Sequence, residues 1–523
     1  MNSYFNGDDM MAITTGSSKR NLFGRRPIFL TPKTGNNQLT PEELGEDLAL
    51  CFKLHKDNRE EINYLYNYVR GIQPILTRED KIIRSEINNM CVENLAKYIT
   101  NFKNGYIWGE PILLIKNSNG NSAREKEEKE KYEEEKDKKV LLLNEFFQER
   151  FKHNRDQECG LWTIIGGVGY KCALPTDNNN DDIPFNLYTL DPRNTFIAYT
   201  NDFKKEPYLA VTYTKLNEDD YNMTIYSNNF VYTAISDKDF NITSLEVFPN
   251  ILRLIPIIEF NYDNLGQGAF EHILPLLDNL NLLCSDRMND IVQAVQWFMK
   301  FINVDISFED YEKFKKSGAI VAKTAPGVNA DIDVITTSLQ QSDIQVFKDD
   351  MIRMALTLCN VPQRTADARD NTGESLIIGQ GWTDAESDAK SVEAIQTESE
   401  KRLLKIVLAI CKVVTSPPEL KDVKLGEIDI RFSRNRTDNL LVKTQGLLNM
   451  LKAGIHPLLA FKNCGLFSDP QKAYELSKEY LEKFYRSSMK NNEVAKIESN
   501  QNIHNQSMQV QSEIDKKGDT KWV

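Results

Sequence analysis

From Ala269 onward, apolar residues return at every third or fourth position: Phe270, Ile273, Leu277, Leu280, Cys284, Met288, Ile291, Val295, Phe298 and Ile302. That spacing marks one face of a helix. A helix over 270–302 would be roughly 50 Å long at about 1.5 Å per residue, and Pro275 requires it either to start just before that residue or to kink there. In the stretch that follows, Gly318–Lys323, a turn at Pro326 and Gly327, and Ile332–Thr336 read as a small β unit. A second amphipathic helix is then predicted from Gln341 to Cys359, with Ile344, Phe347, Met351, Met354 and Leu358 on its apolar face. Two long helices around a small β excursion predict an elongated, two-legged shape, which is unusual for an enzyme core.

The flanking sequence divides by pattern. Met10 to Pro41 contains no acidic residue, and Lys19, Arg20, Arg25, Arg26 and Lys33 stand among Gly, Ser, Thr, Asn and Pro, so residues 1–40 read as a flexible basic arm. Thr40 with Glu43 matches a capping box and Pro41 suits the first helical turn, which predicts a helix from there to about Tyr66. Between Arg124 and Lys139 lie seven basic and eight acidic residues, several paired at i,i+4 (Glu125/Lys129, Glu134/Lys138), as on a solvated helix. Residues 185–260 carry Tyr/Val/Ile/Thr runs separated by Asn/Asp clusters, the signature of antiparallel strands. A third long helix is predicted after Gly373, over 374–417, with Trp382, Ala385, Ala389, Val392, Leu403, Ile406, Ile410 and Val413 on one face and Pro417 and Pro418 ending it, followed by a strand over Glu427–Phe432 and helices from about Asp438 to Arg486. The Asn/Gln-rich end is expected to be disordered.

Little in the sequence points to catalysis. The 8 cysteines include no CxxC pair, and the 5 histidines sit in no HExxH or Cys/His cluster, so neither a metal site nor a cofactor is expected. There is no GxxxxGK[ST] loop and no GxSxG; Gly166, Gly167 and Gly169 fail the GxGxxG pattern and read as a bend. Asp349/Asp350 and Asp367/Asp370 are the carboxylate pairs that an enzyme acting on nucleic acid would need, without the nucleophile, base and oxyanion donors of a reaction. The most apolar stretches, Ile251–Phe260 and Leu403–Val414, are too short to span a bilayer, so no membrane association is expected. A net charge of −12 argues against a surface that grips nucleic acid throughout, yet it suits walls past which DNA slides.

Several local phrases, spread over residues 60–485, resemble the portal protein family of tailed phages. They are Tyr68-Val69-Arg70-Gly71, Asn88-Asn89, Asn94 to Ile99 and, most specifically, Gly105-Tyr106-Ile107-Trp108-Gly109-Glu110-Pro111-Ile112. Further on come Pro256 to Phe260, Leu277-Asp278-Asn279-Leu280-Asn281, Ser285-Asp286 and Asn289-Asp290. The resemblance implies an α+β, helix-dominated fold. Its parts would be an α/β wing over 41–262, a stem helix over 263–302, a small β-containing clip over 303–336, and a second stem helix over 337–359. A tunnel loop over 360–373, a long helix over 374–417, crown helices over 418–486 and a tail over 487–523 complete it. Leu277, Leu280, Met288, Ile291, Val295, Phe347, Met351 and Met354 would pack the stem, while Gln363, Arg364, Asp367, Arg369, Asp370 and Asn371 would face DNA.

The implied function is a homo-oligomeric ring of about twelve subunits at one capsid vertex of the virion. Double-stranded DNA would pass through it during packaging and ejection, and the terminase motor, the major capsid protein, a scaffold protein and head-completion or tail adaptor proteins would dock on it. The alternative is a soluble helical capsid scaffold or adaptor without a channel.

Overall fold

Thr40 and Glu43 close the reciprocal cap that the sequence predicts: the Glu43 amide donates to Thr40 Oγ1 at 3.2 Å and the Thr40 amide to Glu43 Oε2 at 2.9 Å. Helix α1 runs from there over Pro41–Val69. The computed structural model describes residues 13–15, 18–20, 24–33, 38–79, 86–116, 126–176, 182–217, 220–237, 241–295, 298–302, 309, 331–335, 341–363, 381–414, 420–434, 440–464, 466–467, 470, 472–481 and 483. Two compact units divide the chain, Met1–Asn435 and Arg436–Val523.

In the first unit, helices α2 (Leu95–Ile107), α3 (Lys126–Glu149) and α4 (Lys152–Gly166) follow α1. Strands β1 (Ile13–Thr15), β2 (Ser18–Arg20), β3 (Ile28–Leu30) and β4 (Leu113–Lys116) come from this N-terminal part. Eight strands then follow almost without interruption. They are β5 (Val168–Pro175), β6 (Phe185–Leu190), β7 (Thr195–Thr200), β8 (Pro207–Lys215), β9 (Asp220–Tyr226), β10 (Phe230–Asp237), β11 (Ile242–Pro249) and β12 (Ile257–Asn261). They build a six-stranded sheet in the order β11-β10-β9-β8-β7-β3 and a three-stranded sheet, β12-β5-β6. The first half of α1 lays Leu44, Leu48, Cys51 and Phe52 on the larger sheet, against Phe196, Val211, Met223 and Ile225.

Residues 24–33 depart from the expected flexible arm. Strand β3 pairs in parallel with β7, Ile28 and Leu30 are buried, and the Arg25 guanidinium reaches Glu271 at 2.6 Å and Glu61 at 3.0 Å. The basic residues there are partners for buried acids, which composition alone could not reveal. Gly167, read as part of a bend, caps α4 at φ +77°; a Cβ at that position would lie 2.1 Å from the Gly266 carbonyl oxygen, so both the turn and the close approach require glycine.

The long amphipathic segment is helix α5, Leu274–Val295, preceded by a 3₁₀ turn at Glu271–Ile273. It ends before the predicted limit: Phe298 and Ile302 belong to strand β13 (Phe298–Ile302), which pairs antiparallel with β14 (Asp331–Ile335). Apolar residues at a spacing of four are compatible with either the helical or the two-residue strand repeat, so periodicity carried the helix across that boundary. Helix α6, Gln341–Leu358, and helix α7, Trp382–Val413, follow. Strand β15 (Ile428–Arg431) lies within the strand expected over Glu427–Phe432 and pairs with β4 in the first unit. Helices α8 (Leu440–Lys452) and α9 (Pro457–Cys464) belong to the second unit, where Phe461 stacks on Phe467. Among the described residues no helix is long and apolar enough to cross a membrane.

Helix α7 is tied to the smaller sheet by a buried square of charges. Lys152 lies 2.6 Å from Asp156 and 3.0 Å from Glu400, Lys171 lies 2.6 Å from Asp156, and the fourth side of the square is the Lys171–Glu400 pair. The Lys171 ammonium also sits 4.1 Å from the centre of the Phe260 ring. Burial by itself would raise the Glu400 carboxyl, but Lys152 and Lys171 outweigh it and hold the group well below its ordinary 4.5. A carboxyl depressed in the folded state stabilises fully above its unfolded value and loses that contribution as pH falls through the folded one. Glu400→Ala, which strands two buried ammonium groups, is expected to cost about 3 to 5 kcal/mol in urea unfolding at neutral pH. Below pH 4.5 the stability of the unaltered protein should decline, and Glu400→Gln should lack that part of the decline.

Candidate functional site

The two predicted legs form an antiparallel hairpin. At one end His272 Nε2 donates to the Leu358 carbonyl at 3.2 Å, and further along Arg287 donates to Gln345 Oε1 at 2.6 Å. The β13–β14 pair continues the same antiparallel run beyond the helices. The base packs into the body of the first unit: Ile273 of the 3₁₀ turn, Leu274 and Leu277 of α5, and Ala355 and Cys359 at the α6 end meet Leu65, Tyr68 and Val69 of α1 and Ile99 of α2.

Which face of α5 turns inward is decided by polar residues. Asn281, Ser285 and Asn289, spaced by four, are all fully buried. An extended segment, residues 87–94, lies along them. Asn281 Oδ1 accepts from the Glu93 amide at 2.8 Å, Ser285 Oγ from the Cys91 amide at 2.9 Å, and Asn289 Oδ1 from the Asn89 amide at 2.7 Å. Four helical residues rise about 6 Å and two extended residues about 6.6 Å, so the two repeats stay in step over three rungs. Asn281 Nδ2 donates in turn to Gln73, Tyr68 donates to Asp278 at 2.8 Å, and Arg78 pairs with Asp286 at 2.8 Å, so α1 and the turn after it join the same ladder. Lys348 of α6 reaches Glu93 at 2.9 Å and brings the second leg onto the strap.

This rotation splits the predicted apolar stripes. Leu277, Leu280 and Met351 are buried, whereas Met288 is 44% exposed, Phe347 57% and Met354 57%, and Ile291 is exposed with them. Val295 lies within α5, and its side chain is outside the described residues. Leu282, Val346 and Leu358 add to the exposed apolar surface. Hydrophobic spacing alone could not separate the half that meets the protein body from the half left open. The signal that could is the row of small polar residues at four-residue spacing.

The loop after α6 starts from a fixed base. Asn360 adopts φ +53°, its side chain donates to Asp388 at 3.5 Å, and Asp388 Oδ2 accepts from the buried Lys103 at 2.7 Å. Gln363 donates to the Arg353 carbonyl at 3.2 Å and to Thr357 Oγ1 at 2.9 Å, which folds it back on α6. Gly381, at φ +80°, returns the chain beside Pro362, its Cβ direction meeting the Pro362 Cα at 3.9 Å. The two ends of the loop therefore lie together. Of the residues expected to face DNA, Arg364, Asp367, Arg369, Asp370 and Asn371 lie outside the described residues.

Nothing in this arrangement resembles a reaction centre: among the described residues no three His, Cys, Asp or Glu side chains converge as metal ligands would. What it offers is exposed apolar side chains on paired helices. A comparison with protein families matches residues 48–504 to the phage portal proteins, SPP1 Gp6-like. No curated protein matches the chain. Asn281→Ala, which leaves the Glu93 amide and the Gln73 side chain without their partner, is expected to lower stability by about 1 to 3 kcal/mol and to speed hydrogen exchange at the Glu93 amide.

Proposed function

We propose a function from one premise, that the chain belongs to the SPP1 Gp6-like family of phage portal proteins, a structural family of the capsid that serves genome packaging. About twelve copies close a ring at a single vertex of the capsid, each contributing its hairpin as part of the channel wall. In this reading α5 and α6 are the stem, residues 303–336 the clip, the loop that opens at Asn360 the tunnel loop, and the body around the two sheets the wing. The crown begins at Arg436, since β15 belongs with the wing.

The observation that carries the reading is the exposed apolar surface of the hairpin. Met288, Ile291, Phe347, Met354 and Leu358 face solvent in the single subunit, on helices that the ladder and Lys348 hold against the body of the first unit. Contiguous apolar surface on an otherwise charged protein marks a contact with another protein, and copies joined head to tail by such contacts generate a ring when the rotation closes. Double-stranded DNA passes through the opening during packaging and ejection. With a charge of −12 per subunit, a complete ring repels the phosphates that pass it, and Arg364 and Arg369, offset by Asp367 and Asp370, make only transient contact. The terminase motor, the major capsid and scaffold proteins, and head-completion or tail proteins dock on the outer parts. A channel-less scaffold or adaptor would also present apolar faces to a partner, and ring formation separates the two readings.

Negative-stain electron microscopy of the purified protein should give rings of about twelve subunits with a central hole. Phe347→Glu combined with Met354→Glu should convert them to small species in sedimentation while leaving the far-ultraviolet circular dichroism unchanged; intact rings in that variant would remove the hairpin from the subunit contact.

A further inference from the structure

A second surface feature stands apart from the hairpin. Between α1 and the β6–β7 turn lies a cleft of about 720 Å³ lined by Lys53, Lys56, Arg59 and Arg193, with Glu60 the one carboxylate on its wall. Lys53, Lys56 and Arg59 follow one another at intervals of three along one face of α1, and among the described residues none of them forms an ion pair. On a chain of net charge −12, Lys53, Lys56 and Arg59 against Glu60 make the cleft locally basic, Arg193 being paired with Asp191.

The other wall is rigid. Arg193 is clamped by Asp191, at 2.6 Å from NH2 to Oδ2, and lies over the rings of Tyr66 at 4.6 Å and Trp162 at 5.1 Å. The floor is His55, Phe52 and Tyr213. His55 Nε2 donates to the Arg193 carbonyl at 3.2 Å, and burial pushes its imidazole down to about 4, so the charge of the cleft comes from lysine and arginine. Asn63 and Asn194 place amide groups along the same walls.

We propose that this cleft binds an acidic, extended peptide segment of a partner protein, its carboxylates paired with Lys53, Lys56 and Arg59 and its backbone bonded by Asn63 and Asn194. The aromatic residues favour a peptide over single-stranded nucleic acid. Base stacking needs open ring faces. Here Tyr213 is met edge-on by Phe52 at 5.3 Å and by Tyr221 at 5.7 Å and has Arg59 over it at 5.9 Å, while Tyr66 and Trp162 stack on each other and are covered by Arg193. The volume suits a few residues of extended chain, whose same-side carboxylates repeat about every 6.6 Å.

Fluorescence anisotropy with the full-length protein tests this, using a fluorescein-labelled octapeptide of alternating Glu and Ala and, separately, labelled octathymidylate. The peptide is expected to bind, to weaken at least tenfold when sodium chloride rises from about 50 to 300 mM, and to weaken at least tenfold in the Lys53→Ala, Lys56→Ala, Arg59→Ala variant. Octathymidylate should bind at least tenfold more weakly than the peptide. Because Arg59 also covers Tyr213, Lys53→Gln with Lys56→Gln, both at exposed positions, is measured alongside, and should weaken the peptide at least threefold with an unchanged melting temperature. Absence of peptide binding, peptide affinity indifferent to both variants, or octathymidylate binding as tight as the peptide would each overturn the proposal.

Discussion

A helix and a neighbouring extended segment seldom stay in step, because their side-chain repeats differ. Here they do so over three rungs, since four residues of α5 cover nearly the same distance as two residues of the strap. The buried side chains of Asn281, Ser285 and Asn289 thereby find partners in the amides of Glu93, Cys91 and Asn89. Most of what distinguishes this molecule depends on that ladder. It holds α5 against α1 and the strap by polar contacts while Met288 and Ile291 stay exposed, and through Lys348 it fixes the second leg.

Each end of the hairpin is stabilised differently. At its base the legs enter an apolar core with Leu65, Tyr68 and Ile99, and the chain leaves α6 through the strained Asn360, held by Asp388 and Lys103. Lys103 and Asp388 in turn join α2 to α7, and the charge square around Glu400 joins α7 to the smaller sheet. Buried polar groups at these sites specify geometry more than they add stability, because each is costly unless fully paired.

The sequence was most legible where one physical signal had no competitor. The Thr40–Glu43 cap located the start of α1, and the periodicity from Trp382 to Val413 matched α7. It was least legible where two signals coincide. Phe298 and Ile302 continue the spacing of α5 and yet pair in a strand, and Arg25 and Arg26 look like a solvated basic arm and yet bind buried or half-buried acids. The apolar stripes of α5 and α6 were found, but not their division between Leu277, Leu280 and Met351, which are inside, and Phe347 and Met354, which are outside. That division follows from a partner, residues 87–94, almost two hundred positions away, and no local pattern in α5 names it. The family resemblance rests in part on these same polar residues, and the ladder gives four of them, Asn89, Asn281, Ser285 and Asn289, a physical role.

The central claim is that the ladder turns the apolar side of the hairpin toward other copies of the chain. Electron cryomicroscopy of the assembled protein at side-chain resolution tests this most directly. The account predicts that Met288, Ile291, Phe347 and Met354 are buried against the α5 or α6 helix of a neighbouring subunit, with the rungs from Asn281, Ser285 and Asn289 to the strap intact. An assembly in which these four side chains remain in solvent, or in which the strap has left α5, would contradict it.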